Sequence, residues 1–394
     1  MTPAGRRDLW TTRKWEVGDP EIGAWIAESD FGTAPEITAA LHQAVDRGFL
    51  TYLPDHAAAA AERACADFLA ARYDWRPPAE RVHLVPDVVA ALRITMDHFV
   101  EPGEAIAVPT PCYAPFLTAP VRAGRRVIQV PSVEVGGRWR IDTAALARAF
   151  ADGAGLLVLC NPHNPLGQVM TVDEQRDVAA VVERYGARVF SDEIHAPVVY
   201  SGARHRPYAA LSPATAAHTI TATATSKGWN IPGLKSAQLI LTSDADQAQW
   251  RERDIVPYLE GSILGAVAAR VAYTDGTAWL DRTLSVFDAN RRLLGALLER
   301  HAPGVGYRMP EATYLAWLDF RMYRLDMDPA EFLRRNARVV ASSGADAGLG
   351  GEGFVRFNFA MPAHLLERSV EAIGAALRSA RLDDSAGAFV AGAS

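Results

Sequence analysis

Cysteine is scarce in this sequence, with only three cysteines among 394 residues. Cys65, Cys112 and Cys160 are odd in number and far apart, so they form neither a disulfide framework nor a CxxC metal pair. Such usage is typical of a reducing compartment, and we expect a cytoplasmic protein. The polar stretch Met1–Trp15 lacks the apolar core of a signal peptide. No apolar run is long enough to span a bilayer, so the sequence predicts no membrane segment.

Excess positive charge is also missing. The formal net charge is −6, and the basic residues do not form runs. A nucleic-acid-binding or anionic-membrane-binding surface is therefore not expected. The ten histidines show no HExxH-type spacing, so neither a metal hydrolase nor a bound metal is predicted.

Short apolar strands alternate with helical segments through the middle of the chain, which predicts an α/β fold with a largely parallel sheet. The predicted strands are Val82–Leu84, Ala105–Val108, Val127–Val130, Leu156–Cys160, Arg188–Phe190 and His218–Thr225. After about Trp279 the pattern shifts to a long amphipathic helix, strand-like segments, a helix over Pro329–Ser342 and a strand over Phe354–Phe359. We therefore predict a large domain over 48–279, a small α+β domain over 280–383 joined by residues 1–47, and a flexible tail over 384–394.

One lysine stands in a turn that follows an apolar, Thr-rich run. The stretch Thr225–Leu234 begins where this run ends and contains Pro232 and Gly233, which break regular structure. Taken alone, such a lysine is more typical of an exposed loop. Placed just past a strand end, Lys227 can instead bind a carbonyl cofactor such as pyridoxal phosphate (PLP) covalently.

Other polar residues also follow predicted strands, where ligands bind in open α/β sheets. Asn164, Asp192 and Tyr113 lie just past three such strand ends, and Asp87 precedes a helix whose N-terminus suits a phosphate. Each has an ordinary explanation, since Asn-Pro is a common turn, an aspartate can cap a helix and a tyrosine can fill a core. Their occurrence together matches what a pyridine aldehyde cofactor needs.

Five stretches carry a resemblance to a known family. They are Asn161–Gly167, Ser191–His195, Ser226–Leu234, Ala312–Asp319 and Gly353–Asn358. The chain resembles fold-type I PLP-dependent enzymes of the class I/II aminotransferase superfamily, and more narrowly the cystathionine β-lyase or carbon–sulfur lyase branch. The match runs from about Trp25 to Ile373. It implies a mostly parallel seven-stranded sheet, pyridoxal 5'-phosphate as cofactor and a homodimer that acts on a small amino-acid substrate.

By position, the resemblance implies how the cofactor ring is held. Lys227 corresponds to the lysine that binds the cofactor and acts in catalysis, and Asp192 to the partner of the pyridine nitrogen. Asn164 falls at the donor to the ring oxygen, and His195 lies near the same oxygen. Tyr113 corresponds to the aromatic residue that stacks on the ring.

The phosphate contacts are implied in the same way. Ser226, Thr225 and the amides of Val88 and Val89 are the candidates within the chain. Tyr52 resembles a tyrosine that reaches the phosphate from the second subunit.

Substrate contacts are implied at both ends of the chain. Arg356 resembles the arginine that binds the substrate α-carboxylate, a role that suits its planar fork. The family's Asp-Met-Asp-Phe reads Glu28-Ser29-Asp30-Phe31 here, and Glu260 adds charge where the partner subunit approaches. Asp87 also departs from the family and is acceptable only if it caps its helix and points away from a phosphate. Solvated surface is an equally good explanation for Glu28 and Glu260.

Several functions remain open on this basis. The favoured one is β-elimination on an S-substituted L-cysteine, giving thiol, pyruvate and ammonia. Transamination on the same cofactor is the alternative, as is decarboxylation or oxidation of an S-conjugated amino acid in secondary metabolism. A PLP-binding transcription regulator is disfavoured, because the segment before Trp25 is too short for a helix-turn-helix module.

Overall fold

The computed structural model describes residues 12–252, 261–378 and 380–382. The predicted tail over 384–394 therefore lies outside the described residues. In the part that is described, the α-helices are α1 Pro35–Asp46, α2 Asp55–Tyr73, α3 Val88–His98, α4 Pro115–Arg122, α5 Thr143–Ala151, α6 Val172–Tyr185, α7 Pro213–His218, α8 Asp244–Glu252, α9 Ile263–Thr274, α10 Thr277–His301, α11 Pro329–Phe332 and α12 Ala363–Leu377.

The strands form one large sheet and several smaller ones. They are β1 Ile22–Gly23, β2 Val82–Val85, β3 Ala105–Thr110, β4 Val127–Pro131, β5 Val133–Val135, β6 Arg138–Arg140, β7 Ala154–Cys160, β8 Arg188–Asp192, β9 Thr219–Thr223, β10 Ala237–Leu241, β11 Gly306–Tyr307, β12 Leu315–Asp319, β13 Tyr323–Arg324, β14 Val339–Val340, β15 Ser342–Ser343, β16 Phe354–Asn358 and β17 Arg381–Leu382.

The large sheet has seven strands in the order β2-β10-β9-β8-β7-β3-β4. Neighbours from β9 to β4 pair in parallel, and β10 runs antiparallel to both β9 and β2. Every residue of β3 and β7 is buried, which is expected where helices cover both faces of a parallel sheet. The predicted mostly parallel α/β sheet is confirmed.

A second, antiparallel sheet in the order β11-β12-β16-β15 packs with α10 and α12 in the C-terminal part. Strand β1 pairs in parallel with β14 of this part, whereas α1 packs against α9. The N-terminal segment therefore contacts both halves of the molecule. The predicted domain boundaries stay a prediction.

The prediction of a helix over Pro329–Ser342 was wrong for the second half of this range. Helix α11 continues as a π-helix only to Ala337, because Arg338 adopts a left-handed conformation with φ 58°. The β-branched pair Val339–Val340 then pairs with Ile22–Gly23. The backbone bonds that a longer helix would have made go to this strand pair instead.

The parallel strands β3, β7, β8 and β9 end at the same edge of the large sheet. Residues that follow these four strands are therefore brought near one another. No helix in the described ranges is both long and apolar enough to cross a membrane.

Candidate active site

A cavity of about 240 Å³ lies at this edge of the sheet. It collects most of the residues that were predicted from sequence. Those that line it are Val88, Val89, Tyr113, Asn164, Asp192, His195, Ser226, Lys227 and Arg356.

Lys227 lies in the turn after β9, which is held by the Trp229 N–H donating to the carbonyl of Thr225 at 3.0 Å. The Lys227 Nζ donates to the carbonyl oxygen of Ala27 at 2.9 Å. Removal from bulk water is the main reason why the pKa of Lys227 is lowered to about 8, and the positive charge of Arg356 contributes to this lowering. A useful fraction of this amine is therefore neutral near physiological pH, as a nucleophile or general base requires.

Asp192 is the last residue of β8 and is almost fully buried. Its Oδ1 accepts a hydrogen bond from the Ile194 N–H at 3.0 Å. Burial is the main reason why the pKa of Asp192 is raised to about 7, and the negative charge of Glu193 contributes to the rise. No cationic side chain among the described residues forms a salt bridge with this carboxylate. A cation placed beside this carboxylate, such as a protonated pyridine nitrogen, would supply the missing charge.

Arg356 lies on β16 and reaches across to the large sheet. Its Nη1 donates to the Oδ1 of Asn164 at 3.2 Å, and its Nη2 donates to the carbonyl of Trp25 at 2.9 Å and to Ser342 Oγ at 3.1 Å. Its Nε has no hydrogen-bond partner, and no carboxylate of the described chain forms a salt bridge with it. The enclosed guanidinium is thus available to an anionic group of a ligand.

The N-terminus of α3 forms the opposite wall. Asp87 caps this helix by accepting from the Ala90 N–H at 2.8 Å, and its other oxygen accepts from Lys235 Nζ at 2.9 Å. The first helical turn, with Val88 and Val89, lines the cavity together with Lys235. A helix N-terminus favours a phosphate, and Asp87 caps this helix as was required for it. The expected orientation of Asp87 away from the phosphate is not seen, because Asp87 lines the cavity itself and pairs with Lys235 there.

Sequence reasoning missed Lys235. Lys235 belongs to the turn that begins at Lys227, and it adopts a left-handed conformation with φ 50°. A second lysine beyond a Pro-Gly break was the available signal, but only the fold shows that the chain returns to the same cavity.

His195 and Tyr113 complete the lining. Burial is the main reason why the pKa of His195 is lowered to about 3, and the nearby charges of Lys227 and Arg356 contribute to this lowering, so the imidazole is neutral. The Nδ1 of His195 has no hydrogen-bond partner in the part of the chain that the structure describes. Tyr113 packs edge-on against Phe116, with ring centroids 5.4 Å apart, and burial raises its pKa.

Thr225 and Tyr52 are not part of this lining. Thr225 is buried beside it, with 1% of its surface exposed. Tyr52 is 94% exposed, so within its own chain it contacts no site.

Of the other predicted substrate residues, Glu28 and Asp30 do not line the cavity either. Asp30 accepts from Trp15 Nε1 at 2.9 Å and pairs with Lys14 Nζ at 3.0 Å, so both of its oxygens hold the N-terminal segment in place. The carboxylate of Glu28 accepts a hydrogen bond from the backbone N–H of Lys14 at 3.0 Å. Burial is the main reason why the pKa of Tyr314 is raised, and the negative charge of Glu28 contributes to the rise. Glu260 lies outside the described residues.

The comparisons with known proteins bear on this geometry. The model of the family "Aminotransferase class I and II" matches residues 25–373. The chain belongs to this family. A cystathionine beta-lyase from Corynebacterium glutamicum is 39% identical over 367 residues, which cover 93% of this chain and 96% of the relative.

Two solved structures of the aminotransferase class I and II fold are also similar. Cystalysin from Treponema denticola, which contains pyridoxal 5'-phosphate, has a TM-score of 0.88 and 28% identity and covers 96% of this chain and 98% of its own. The PLP-bound C–S lyase from Staphylococcus hominis has a TM-score of 0.88 and 26% identity and covers 95% of this chain and 97% of its own. The predicted family and the fold-type I architecture are confirmed.

The donor set around the cavity fits pyridoxal phosphate. Among the described residues no cationic side chain forms a salt bridge with Asp192, the Lys227 amine is available, and the α3 N-terminus suits a phosphate. These three features line one cavity.

The lowered pKa of Lys227 leads to a testable expectation. In the cofactor-free protein, the Lys227 amine should be protonated below about pH 8 and neutral above it, so acylation should rise through that value rather than near 10.5. Acylation of the Lys227 peptide across pH, followed by mass spectrometry, measures the midpoint. Arg356→Met is the matched variant, since loss of its positive charge should move the midpoint upward. A wild-type midpoint near that of an exposed lysine would contradict the assignment.

Proposed function

We propose that the chain is a PLP-dependent carbon–sulfur lyase that cleaves an S-substituted L-cysteine to a thiol, pyruvate and ammonia. The observation that carries this proposal is the enclosed Lys227 amine, which shares its cavity with Asp192 and Arg356. The relatives from Corynebacterium glutamicum and Treponema denticola, named a cystathionine beta-lyase and cystalysin, support the same chemistry. Their similarity extends over nearly the whole chain.

The residues around the cavity would hold the cofactor at its two ends. Asp192 would accept a hydrogen bond from the pyridine nitrogen, and Asn164 would donate its amide to the ring oxygen. The amides of Val88 and Val89 with Ser226 would bind the phosphate. When bound, pyridoxal phosphate supplies an electron-accepting ring that stabilises negative charge at the substrate α-carbon.

Substrate positioning would depend on Arg356. Its guanidinium fork suits a carboxylate bound through two hydrogen bonds, and its Nε has no partner among residues 12–252, 261–378 and 380–382. The Asn164 side chain, 3.2 Å from Nη1, keeps the fork beside the cofactor site. The substrate α-carbon is thereby held near the Lys227 amine.

Lys227 would act as the general base. Its neutral amine accepts the proton from the substrate α-carbon, and a pKa of about 8 matches this task near neutral pH. The bond between Cβ and sulfur then breaks, and the sulfur leaves with its electron pair and gains a proton. Water hydrolyses the remaining three-carbon amine, which yields pyruvate and ammonia.

Transamination is the competing function, because it begins with the same proton transfer to Lys227. Holoenzyme incubated with L-cystathionine and other S-substituted cysteines should release thiol and pyruvate in roughly equal amounts without an added keto acid. Coupled lactate dehydrogenase and a thiol reagent measure the two products. Turnover that requires a keto acid and releases no thiol would identify an aminotransferase instead.

Two variants control this assay. Lys227→Arg keeps a positive charge but lacks an accessible neutral amine, so turnover should fall by about 100-fold or more. Arg356→Lys keeps the charge but loses the fork, so KM should rise by about tenfold or more while the cofactor remains bound. Unchanged KM values would remove Arg356 from the substrate site.

We also propose that the chain acts in the cytoplasm as a homodimer in which Tyr52 completes the partner's phosphate site. The support is that Tyr52 is 94% exposed, and Leu50 is 59% exposed in the same loop. Closed two-fold dimers are also the commonest assembly.

Light scattering should therefore show a dimer. Tyr52→Phe should leave the dimer intact but weaken PLP binding several-fold, since a hydroxyl contact is worth about 1 kcal/mol. A fully active monomer, or unchanged PLP affinity in Tyr52→Phe, would refute this arrangement.

A further inference from the structure

The cavity holds an ion pair at the end where the proposed function places a phosphate. Lys235 Nζ donates to Asp87 Oδ2 at 2.9 Å, and both residues line the cavity. Their side chains are 61% and 41% exposed, so water still reaches the pair. A carboxylate therefore lies beside the first turn of α3, whose amides are the proposed phosphate ligands.

Asp87 also occupies hydrogen-bond donors of this first turn. Its Oδ1 accepts from the Ala90 N–H at 2.8 Å. Burial by itself would raise the pKa of Asp87, but hydrogen bonds from Lys235 and from the N–H groups of Ala90 and Val89 outweigh it and hold the pKa below its ordinary value. The amide of Val89 is one of those proposed to bind the phosphate. The carboxylate and a phosphate would thus draw on the same donors.

The negative charge of Asp87 extends into the cavity. Burial is the main reason why the pKa of Tyr113 is raised, and the charges of Asp192 and Asp87 contribute to the rise, against the positive charge of Arg356. Besides Asp87 and Lys235, the charged side chains that line the cavity are those of Asp192, Lys227 and Arg356. A doubly negative group bound at the α3 N-terminus would therefore be repelled by Asp87.

Two opposite effects of Asp87 on a bound phosphate have to be weighed. By holding Lys235 in the cavity, Asp87 could help the phosphate, but a partly exposed ion pair is a weak constraint, worth at most about fivefold in an equilibrium. A phosphate carries nearly two negative charges at neutral pH. Its repulsion by a carboxylate in a partly enclosed cavity should reduce affinity by about tenfold or more. The repulsion should therefore prevail.

We propose that Asp87 limits the affinity of the chain for pyridoxal phosphate, because its carboxylate holds Lys235 and the first-turn amides that the phosphate needs. Lys235 then exchanges Asp87 for the phosphate when the cofactor binds. Asp87 acts on cofactor occupancy and not on bond cleavage, so occupancy depends on how much cofactor is supplied. This inference rests on the proposed role of the α3 N-terminus as the phosphate site.

The test compares the Kd values for PLP and for pyridoxal, which lacks the phosphate, by titrating cofactor-free protein and following absorbance. Asp87→Asn and Asp87→Ser remove the charge but keep a side chain that caps a helix well, so α3 should stay intact. In both variants the Kd for PLP should fall by about tenfold or more. The Kd for pyridoxal should not change.

A matched control is offered by another capping aspartate of the large sheet's helices. Asp142 caps α5 by accepting from the N–H groups of Ala144 and Ala145, and it does not line this cavity. Asp142→Asn removes the same charge from the same kind of position. It should leave the Kd for PLP as it is in the wild type.

A double-mutant cycle tests the exchange of Lys235. Lys235→Met should weaken PLP binding in the wild-type background. It should weaken PLP binding more in the Asp87→Asn background, because Lys235 is there not held by a carboxylate before the cofactor binds. Equal effects in the two backgrounds would overturn the competition for Lys235.

The outcomes with the Asp87 variants are decisive in the same way. Unchanged or weaker PLP binding in Asp87→Asn and Asp87→Ser would show that Asp87 only places Lys235, and equal tightening of pyridoxal would show an effect unrelated to the phosphate. Either result overturns the proposal.

Val88→Pro separates this inference from the proposed function. It removes one first-turn amide at a position where proline fits a helix, and the extended backbone of Asp87 suits a following proline. If Val88→Pro leaves the Kd for PLP unchanged, the phosphate site itself is wrong. If it weakens PLP binding while the Asp87 variants do not tighten it, the role of Asp87 alone fails.

Discussion

The contact between the Lys227 ammonium and the Ala27 carbonyl, 2.9 Å long, joins the two halves of the site. Lys227 comes from the edge of the large sheet, whereas Ala27 lies in the N-terminal segment that also contacts the small sheet. The same carbonyl accepts from the Tyr314 hydroxyl at 3.0 Å. The neighbouring Trp25 carbonyl accepts from Arg356. One N-terminal segment thus contacts both the amine and the guanidinium.

Charge explains why these groups have unusual properties. Enclosure lowers the pKa of Lys227, raises that of Asp192 and lowers that of Arg356. None of the three forms a salt bridge with another described residue, although Lys227 and Asp192 attract each other at longer range. Burying an unpaired charge is costly, so the site gains stability when ligands bring the missing charges. A pyridine nitrogen beside Asp192 and a carboxylate beside Arg356 would both do so.

Sequence alone predicted the family and the site residues at the ends of β3, β7, β8 and β9. This was possible because parallel strands end at one edge of a sheet, whatever the path of the helices that connect them. Lys235 was not predicted, since its return to the cavity depends on the path of a Pro-Gly turn. The ion pair between Lys14 and Asp30 was not predicted either. The two residues are sixteen positions apart, so only the fold brings them together. The early end of the helix at Ala337 depends on the backbone of Arg338, an arginine where glycine is usual.

The central claim is that Lys227 holds the cofactor, and covalent trapping tests it most directly. Holoenzyme reduced with borohydride and digested with protease should yield one cofactor-bearing peptide, with the label on Lys227. The visible absorbance of the protein should disappear on reduction. A label on Lys235 or any other lysine, or a cofactor that dialysis removes after reduction, would contradict the account.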